Sequence, residues 1–454
     1  MDTKGGTAAM AATALVGTVA AGYLLRKLVA YAGAPPPIEE PQYETVIHSR
    51  LDLVDELIQI KYRLFGRPLL TVEQLVKDVE AAANESMEEE EVERLRAGMA
   101  AMLHYLNGPR VAGSGRAMLY GTVRDGLRNR VRALVAAAKD ASLRREQPLE
   151  MVFVIGLPRT GSTLTQRLLA THPHARTISI CQCMDLDPAS AATEEEVKEK
   201  CKKLFKMMRW VLGQAMWDKM QQVHPIGDGT APEEDQALLQ ASLIHEEFLG
   251  NDAYREWMLA HDATSAYELH NIFLNTLLRR YPEDGARHWL LKAPIHTFFL
   301  DALLKQYPNA KFVWTHRDPK KSMGSSCSMR SMMRMVDKPL DKRDFSKRFL
   351  KSDMESLRRA MEVRRRIGEE RFTDVYFKDL MDSPQDTLVD VHARVFGKCE
   401  EEETFRANIA AWLEEDAKDK PPRHAYNLDD YGVPAKEVDR HFAWYYDIFD
   451  KSRM

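Results

Sequence analysis

The sequence predicts an α/β fold in which a central parallel sheet is flanked by helices. Short apolar runs without polar alternation, such as MVFVI at 151–155, are typical of strands that are buried on both faces of a parallel sheet. Segments with apolar residues at helical spacing separate these runs along the chain. Alternating strands and helices favour a parallel sheet with helices packed on it.

The N-terminal 43 residues differ from the rest of the chain. Residues 1–34 are predicted to be a hydrophobic segment, because residues 7–25 carry no charge and are just long enough to cross a bilayer of about 30 Å. A single-pass membrane anchor in the Golgi, the ER or another organelle is the expected role. The alternatives are a targeting peptide, whose cleavage leaves a soluble protein, and a buried helix. Residues 35–43, which begin PPPIEEP, are predicted to be a Pro-rich linker.

Residues 44–454 are predicted to form one domain, with a largely helical part at 44–140 and an α/β core at 150–454. The first part contains amphipathic segments at helical spacing. The core alternates between the two kinds of element. Its predicted helices lie at 193–222, 236–250, 300–308 and 344–371, and its further strands begin at 289, 311 and 374.

Composition excludes some classes of function. The formal net charge is −4, so no overall basic field suggests a nucleic-acid partner. The five cysteines show no CxxC pair and no Cys/His zinc spacing, so no metal site is expected. Any anion site must therefore be local.

The stretch FVIGLPRTGST, residues 153–163, joins the first strand to a helix. Gly156 and Gly161 have the spacing of a phosphate loop, but Ser162 stands where ATP and GTP enzymes have lysine. Arg159 supplies a cation inside the loop instead, and backbone N–H groups at a helix start bind anions. The loop therefore predicts an anion site to which Ser162 and Thr163 add hydroxyl groups. A helix cap with a surface arginine is the alternative.

A second anion site is predicted at the end of the strand segment KFVWTHRDP (311–319). Arg317 lies at this strand end, and Ser325 follows eight residues later. Ligands bind at the carboxyl edge of open α/β sheets, so both side chains are expected at the same edge as the loop. Two anion sites on one edge suggest a nucleotide with phosphates at both ends. A salt bridge between Arg317 and Asp318 is the alternative.

The loop P-R-T-G-S-T resembles the 5′-phosphosulfate loop of sulfotransferases that use 3′-phosphoadenosine 5′-phosphosulfate (PAPS), and Arg317 and Ser325 match the pair that binds the 3′-phosphate in that family. The resemblance covers about residues 120–450. Further motifs of the same family are matched by WLLKAPIH (289–296), PEEDQ (232–236), YFKDLMDSP (376–384) and YNLDDYG (426–432).

The resemblance implies a P-loop NTPase-like sulfotransferase fold and transfer of a sulfuryl group from PAPS. The acceptor is a hydroxyl or amine of an unidentified small molecule, lipid or glycan, the product is 3′,5′-ADP, and no metal is needed. Lys292 matches the lysine that stabilises the leaving phosphate. The donor-binding residues implied by the resemblance are Arg159, Thr160, Gly161, Ser162, Thr163, Arg317 and Ser325.

The motifs do not identify the group that takes the proton from the acceptor. Related enzymes often have a glutamate where this chain has Gln182, and an amide cannot act as a base. His296, four residues after Lys292, is the first candidate because histidine titrates near neutrality. Asp185, Glu234 and His245 are further candidates.

Two other functions are consistent with a phosphate loop. One is a P-loop kinase or NTPase, which the missing lysine at Ser162 disfavours. The other is a catalytically inactive relative that binds nucleotide, which the amide of Gln182 keeps open.

Overall fold

The computed structural model describes residues 57–64, 66–109, 111, 113–282, 285–333, 341–418 and 426–454. Within these residues, five strands form one parallel sheet in the order β2-β3-β1-β4-β5. The strands are β1 (Glu150–Gly156), β2 (Ala175–Arg176), β3 (His288–Lys292), β4 (Lys311–His316) and β5 (Phe372–Tyr376). The prediction of a central parallel sheet is confirmed.

The register of the three central strands sets the position of the site. Val154 of β1 lies beside Lys292 of β3, and Gly156 at the end of β1 lies beside Thr315 of β4. Because the strands are parallel, the loop after β1 and the ends of β3 and β4 meet at one edge of the sheet. This carboxyl edge is where open α/β sheets bind ligands.

Helices surround the sheet. Those described before β1 are α1 (Val72–Ala83), α2 (Glu89–Asn107) and α3 (Gly113–Lys139), and residues 57–64 are also helical. Those between β1 and β3 are α4 (Ser162–Leu169), α5 (Ile180–Cys183), α6 (Glu194–Leu212), α7 (Gln214–Val223), α8 (Gln236–Gln240), α9 (Asp252–Ala260) and α10 (Thr264–Arg280). Those after β3 are α11 (Leu300–Gln306), α12 (Pro319–Met333), α13 (Lys342–Ile367), α14 (Phe377–Asp382), α15 (Pro384–Phe396), α16 (Glu402–Lys418), α17 (Ala435–His441) and α18 (Ala443–Ile448).

Both faces of the sheet are buried. Phe153 and Ile155 of β1 belong to a large apolar cluster that also contains Leu95 of α2. Val152 and Val154 point to the opposite face and join a second cluster with residues of α4, α15 and α16. Burial of successive residues on both faces explains why the strand sequence lacks polar alternation. The first cluster also shows that the helices before β1 pack onto the sheet.

Three predicted elements differ from the observed ones. The helix predicted at 193–222 is interrupted at Gly213, whose φ of 78° and ψ of 157° separate α6 from α7. The strand predicted at 374–380 ends at Tyr376, and α14 follows directly. Of the region 236–250, only α8 is an α-helix. Leu243 has a φ of 63°, and Tyr254 Oη holds this turn by donating to Leu243 O and accepting from His245 N.

The predicted single-pass membrane anchor is corrected by the structure. In the part of the chain that the structure describes, none of the helices is both long and apolar enough to cross a bilayer. The longest of these helices, α3 and α13, are rich in charged residues. Residues 7–25 and the linker 35–43 lie outside the described residues.

Candidate active site

The loop between β1 and α4 follows a backbone path that needs both of its glycines. Gly156 has a φ of 137°, and a Cβ there would lie 2.7 Å from Thr315 O. Gly161 has a φ of 92°, and a Cβ there would lie 2.9 Å from the Phe377 ring. Arg159 also adopts a positive φ, 69°, which is uncommon outside glycine. The loop thus turns tightly against β4 and α14 and starts α4 at Ser162.

Arg159, Arg317 and Ser325 come together beside this loop. Arg159 Nε donates to Ser325 Oγ at 3.0 Å, and Arg317 Nη1 donates to Arg159 O at 2.9 Å. Burial and the charge of Arg317 both lower the pKa of the Arg159 guanidinium. Arg317 Nε is buried with no hydrogen-bond partner in the described part of the chain. Two partly buried guanidinium groups with an unsatisfied donor are suited to binding an anion.

Lys292 lies at the end of β3 and reaches the same loop. Its side chain is only 1% exposed, and Nζ donates to Glu234 Oε1 at 2.5 Å and to Thr163 Oγ1 at 3.1 Å. The Glu234 side chain is 25% exposed. A lysine buried to this extent needs such partners, because removing a charge from water is costly unless it is paired. The structure therefore joins Lys292, Thr163 and Glu234 at the start of α4.

His296 belongs to a buried network rather than to the cleft. Its Nε2 contacts both carboxylate oxygens of Asp235 at 2.9–3.0 Å, and its Nδ1 contacts Tyr267 Oη at 2.8 Å. An ionised carboxylate only accepts hydrogen bonds, so Nε2 donates to Asp235, and in the neutral ring Nδ1 then accepts from the tyrosine. Both ring nitrogens are thus in use, and neither can take a proton from an acceptor without losing a buried hydrogen bond.

A cavity of about 480 Å³ opens beside the loop. On one side it is lined by the loop, through Arg159, Ser162 and Thr163, and by Glu233 and Glu234. The rest of the lining is mostly apolar but also contains Glu246, Glu247 and Arg330. The apolar side chains come from the helices before β1, from the segments around α5 and α7, and from α12 and α13: Tyr105, Met118, Leu119, Ile180, Ile226, Met329 and Phe349.

The comparisons with known proteins agree with this geometry. A family model described as "Sulfotransferase family" matches residues 151–395, which include the loop, the Arg317 site and Lys292. The chain belongs to the sulfotransferase family.

Solved structures show how far the similarity of this sulfotransferase extends. Sulfotransferase STF9 from Mycobacterium avium is 26% identical, with a TM-score of 0.72 over 85% of this chain and 98% of that chain. Sulfotransferase STF1 from Mycobacterium tuberculosis is 23% identical, with a TM-score of 0.65 over 83% and 99% of the two chains, and shows the shared fold. Comparison with curated protein sequences gave no significant match.

Within the sulfotransferase loop, the three hydroxyl side chains differ in their contacts. Thr160 Oγ1 donates to Leu157 O at 2.7 Å and lies 2.6 Å from Thr315 Oγ1, so this side chain holds the loop to β4. Ser162 lines the cavity, and Thr163 Oγ1 accepts from Lys292. For Thr160, the backbone N–H is the group left to contact a ligand.

The other candidate bases have structural partners or lie apart from the cavity. Gln182 forms a capping box with Ser179 at the start of α5, where its Oε1 accepts from Ser179 N at 3.1 Å. Asp185 is paired with Arg280 at 2.9 Å. His245 is fully buried.

Two residues at the cavity were missed from the sequence, Glu233 and His224. His224 Nε2 lies 3.2 Å from Glu233 Oε1. Burial alone would raise the pKa of Glu233, but the hydrogen bond and charge of His224 lower it to about 2. The motif PEEDQ pointed to this segment, but it did not distinguish which acidic residue faces which partner.

One group of side chains has the composition of a metal site. His172, His392 and Cys399 have potential ligand atoms within 4.8 Å of one another. The two rings stack, however, with centroids 4.0 Å apart and planes at 20°. A histidine binds a metal in the plane of its ring, so nearly parallel rings direct their lone pairs along separate planes. These three side chains do not present a converging ligand set.

Proposed function

We propose that this sulfotransferase moves a sulfuryl group from PAPS to a hydroxyl or amine of an acceptor and releases 3′,5′-ADP. The observation that carries the proposal is the joining of two anion-binding groups at one sheet edge. Arg317 and Ser325 meet the loop at Arg159, with hydrogen bonds of 2.9 and 3.0 Å. A donor with phosphate on both the 3′ and 5′ sides of its ribose needs two such groups.

The loop is the proposed site of the 5′-phosphosulfate. The N–H groups at the start of α4 carry the positive end of the helix dipole. Arg159, Thr160, Gly161, Ser162 and Thr163 surround this point, through side chains or backbone.

The 3′-phosphate is assigned to Arg317 and Ser325. The unpartnered Nε of Arg317 supports this assignment, because a phosphate oxygen would give the buried donor its missing acceptor. The stacking of this guanidinium at 4.3 Å on the Phe377 ring holds its plane in place.

Lys292 is the proposed electrophilic group. In the reaction a bond forms between the acceptor oxygen or nitrogen and sulfur, while the bond from sulfur to the bridging oxygen of the 5′-phosphate breaks. Negative charge grows on that bridging oxygen, and a buried ammonium stabilises it more strongly than water does. The contact between Lys292 Nζ and Thr163 Oγ1 at 3.1 Å supports its reach to the start of α4.

Glu234 is the proposed proton acceptor, in place of His296. Its carboxylate lines the cavity and contacts Lys292, whereas both ring nitrogens of His296 are occupied by Asp235 and Tyr267. The proton of the attacking group would pass to the Glu234 carboxylate as the new bond to sulfur forms. The apolar walls of the cavity favour an acceptor with an apolar part, within the class of small molecules, lipids and glycans.

The test is a calorimetric titration of the full chain with 3′,5′-ADP and with ATP, each with and without Mg²⁺. We expect 3′,5′-ADP to bind more tightly than ATP and independently of Mg²⁺. Preference for ATP with Mg²⁺ would instead indicate a P-loop kinase or NTPase. Binding of 3′,5′-ADP without release of sulfate or sulfated product from PAPS would indicate an inactive nucleotide-binding relative. Mass spectrometry of cells with and without the protein would identify the acceptor.

A further inference from the structure

Five buried polar side chains form a continuous row behind the cavity. Asp235 lies at its centre, with no exposed side-chain surface, and accepts from His296 Nε2 at 2.9 Å and from His270 Nε2 at 3.0 Å. Each histidine in turn contacts a tyrosine through Nδ1, Tyr267 at 2.8 Å and Tyr307 at 2.7 Å. Every member of the row is buried.

The row joins parts of the chain that are far apart in sequence. Tyr267 and His270 belong to α10, His296 lies in the short turn after β3, and Tyr307 directly follows α11. The backbone adds to this connection, because Asp235 N donates to Lys292 O at 3.2 Å. Asp235 is thereby attached both to the row and to the residue that ends β3.

A fully buried carboxylate needs contacts or a role that offsets the cost of removing its charge from water. Burial raises the pKa of Asp235, but the charges and hydrogen bonds of His296 and His270 hold it below its usual range. Apolar residues of similar size often stabilise a fold as well as a buried polar group does.

We propose that Asp235 is a positioning residue which, through this row, holds the neighbouring Glu234 carboxylate on Lys292 Nζ. The inference rests on the proposed function, in which Glu234 and Lys292 contact the reacting atoms. Asp235 itself does not line the cavity, so it acts only through its neighbour. The motifs PEEDQ and WLLKAPIH then act together, because Asp235 of the first contacts His296 of the second.

The first readout is the acylation rate of Lys292, measured on the full chain by competitive labelling with acetic anhydride and mass spectrometry. Lys311, a half-exposed lysine on β4 that pairs with Glu150, serves as the internal standard. Both Asp235→Asn and Glu234→Gln are expected to raise the labelling of Lys292 several-fold. The double variant is expected to equal Glu234→Gln, because the effect of Asp235 passes through Glu234. If Asp235→Asn raises Lys292 labelling equally in the wild-type and the Glu234→Gln backgrounds, the proposal is wrong.

The second readout is release of 3′,5′-ADP from PAPS, with water as the acceptor. Asp235→Asn is expected to slow this release at least tenfold in the wild-type background and less than twofold in Glu234→Gln. A milder variant, Tyr267→Phe, removes only the end of the row and is expected to give a smaller effect of the same direction. It keeps the test open if Asp235→Asn fails to fold.

Asn275→Ala is the matched control. Asn275 is a buried polar residue on the same helix, α10, and donates to the carbonyls of Leu143 and Arg145 rather than to the row. It is expected to lower the melting temperature without changing Lys292 labelling or PAPS turnover. If wild type fails to bind 3′,5′-ADP, the proposed function fails. The labelling comparison still decides whether Asp235 positions Glu234.

Discussion

At the scale of single residues, Arg159 and Arg317 are the two cations of the proposed donor site. Both are partly buried, and they lie close enough for the charge of Arg317 to lower the pKa of Arg159. Such a pair is unfavourable until an anion lies between or beside its members. Lys292 is likewise explained by its immediate partners. Its burial is tolerated because Glu234 and Thr163 accept hydrogen bonds from it.

Replacing Arg317 tests the 3′-phosphate assignment. Arg317→Ala is expected to weaken 3′,5′-ADP binding about tenfold or more, since a hydrogen bond to a charged group is worth about 1.5–3 kcal/mol. Isothermal calorimetry measures this directly. Arg394→Ala, at an exposed arginine of α15, should leave the affinity unchanged. Undiminished affinity in Arg317→Ala would remove this residue from the donor site.

Replacing Lys292 separates turnover from binding. Lys292→Ala is expected to lower the rate of 3′,5′-ADP release from PAPS by about 10²–10³, the typical effect of losing one electrostatic contact to a transition state. The dissociation constant for PAPS should change by less than about threefold, because the bridging oxygen carries little charge until its bond to sulfur breaks. A large loss of affinity with unchanged turnover would contradict the assigned role.

The loop between β1 and α4 determines the site at the scale of elements. Its two glycines allow the chain to turn against β4 and α14, so that the start of α4 faces the cavity. Around it, β3 delivers Lys292, and the turn before α12 delivers Arg317. Each element has an ordinary local cause, but their common edge arises from the parallel pairing of β1 with β3 and β4.

A glycine replacement tests whether the loop depends on this close approach. Gly161→Ala is expected to destabilise the protein by more than Gly397→Ala. Both positions have positive φ, for which a Cβ costs roughly 1–2 kcal/mol, but only at Gly161 would the Cβ also meet a ring, at 2.9 Å. Urea unfolding compares the two variants. Equal losses of stability would show that the Phe377 contact relaxes without cost.

At the scale of the whole molecule, the sheet places residues from distant parts of the chain within hydrogen-bond distance. Arg159 and Ser325 are 166 positions apart, and Lys292 and Thr163 are 129 apart. The opposite end of the sheet contains another long-range contact, between His172 and His392, which are buried and stacked.

This histidine pair predicts a dependence of stability on pH. Burial and the neighbouring His172 lower the pKa of His392 from 6.5 to about 4. Between these pH values the unfolded chain binds a proton that the folded protein does not, so stability falls as the pH is lowered from 6.5 towards 4. The melting temperature should therefore fall less between pH 7.5 and pH 5 in His392→Asn than in the wild type. His441→Asn, at a half-exposed histidine, should follow the wild type.

The motifs predicted where the loop and Arg317 lie better than they predicted the contacts of His296. Gly161, Arg159 and Arg317 could be placed from sequence because a phosphate loop and a strand end have local signatures. The partners of His296 could not, since Asp235, just before α8, and Tyr267, on α10, reach it only through tertiary packing. Gln182, expected at the position where related enzymes often have a glutamate, caps a short helix through its side chain.

The sequence by itself determined the class of fold, the loop with its displaced cation and the family. The spacing of apolar residues, the spacing of glycines and the order of motifs can all be read along the chain. Only the tertiary structure decided that His296 is enclosed and that Glu234 meets Lys292. Adjacent residues of one segment, Glu234 and Asp235, face the cavity and the core respectively. The elements packed on either side of this segment decide which residue faces the cavity and which faces the core.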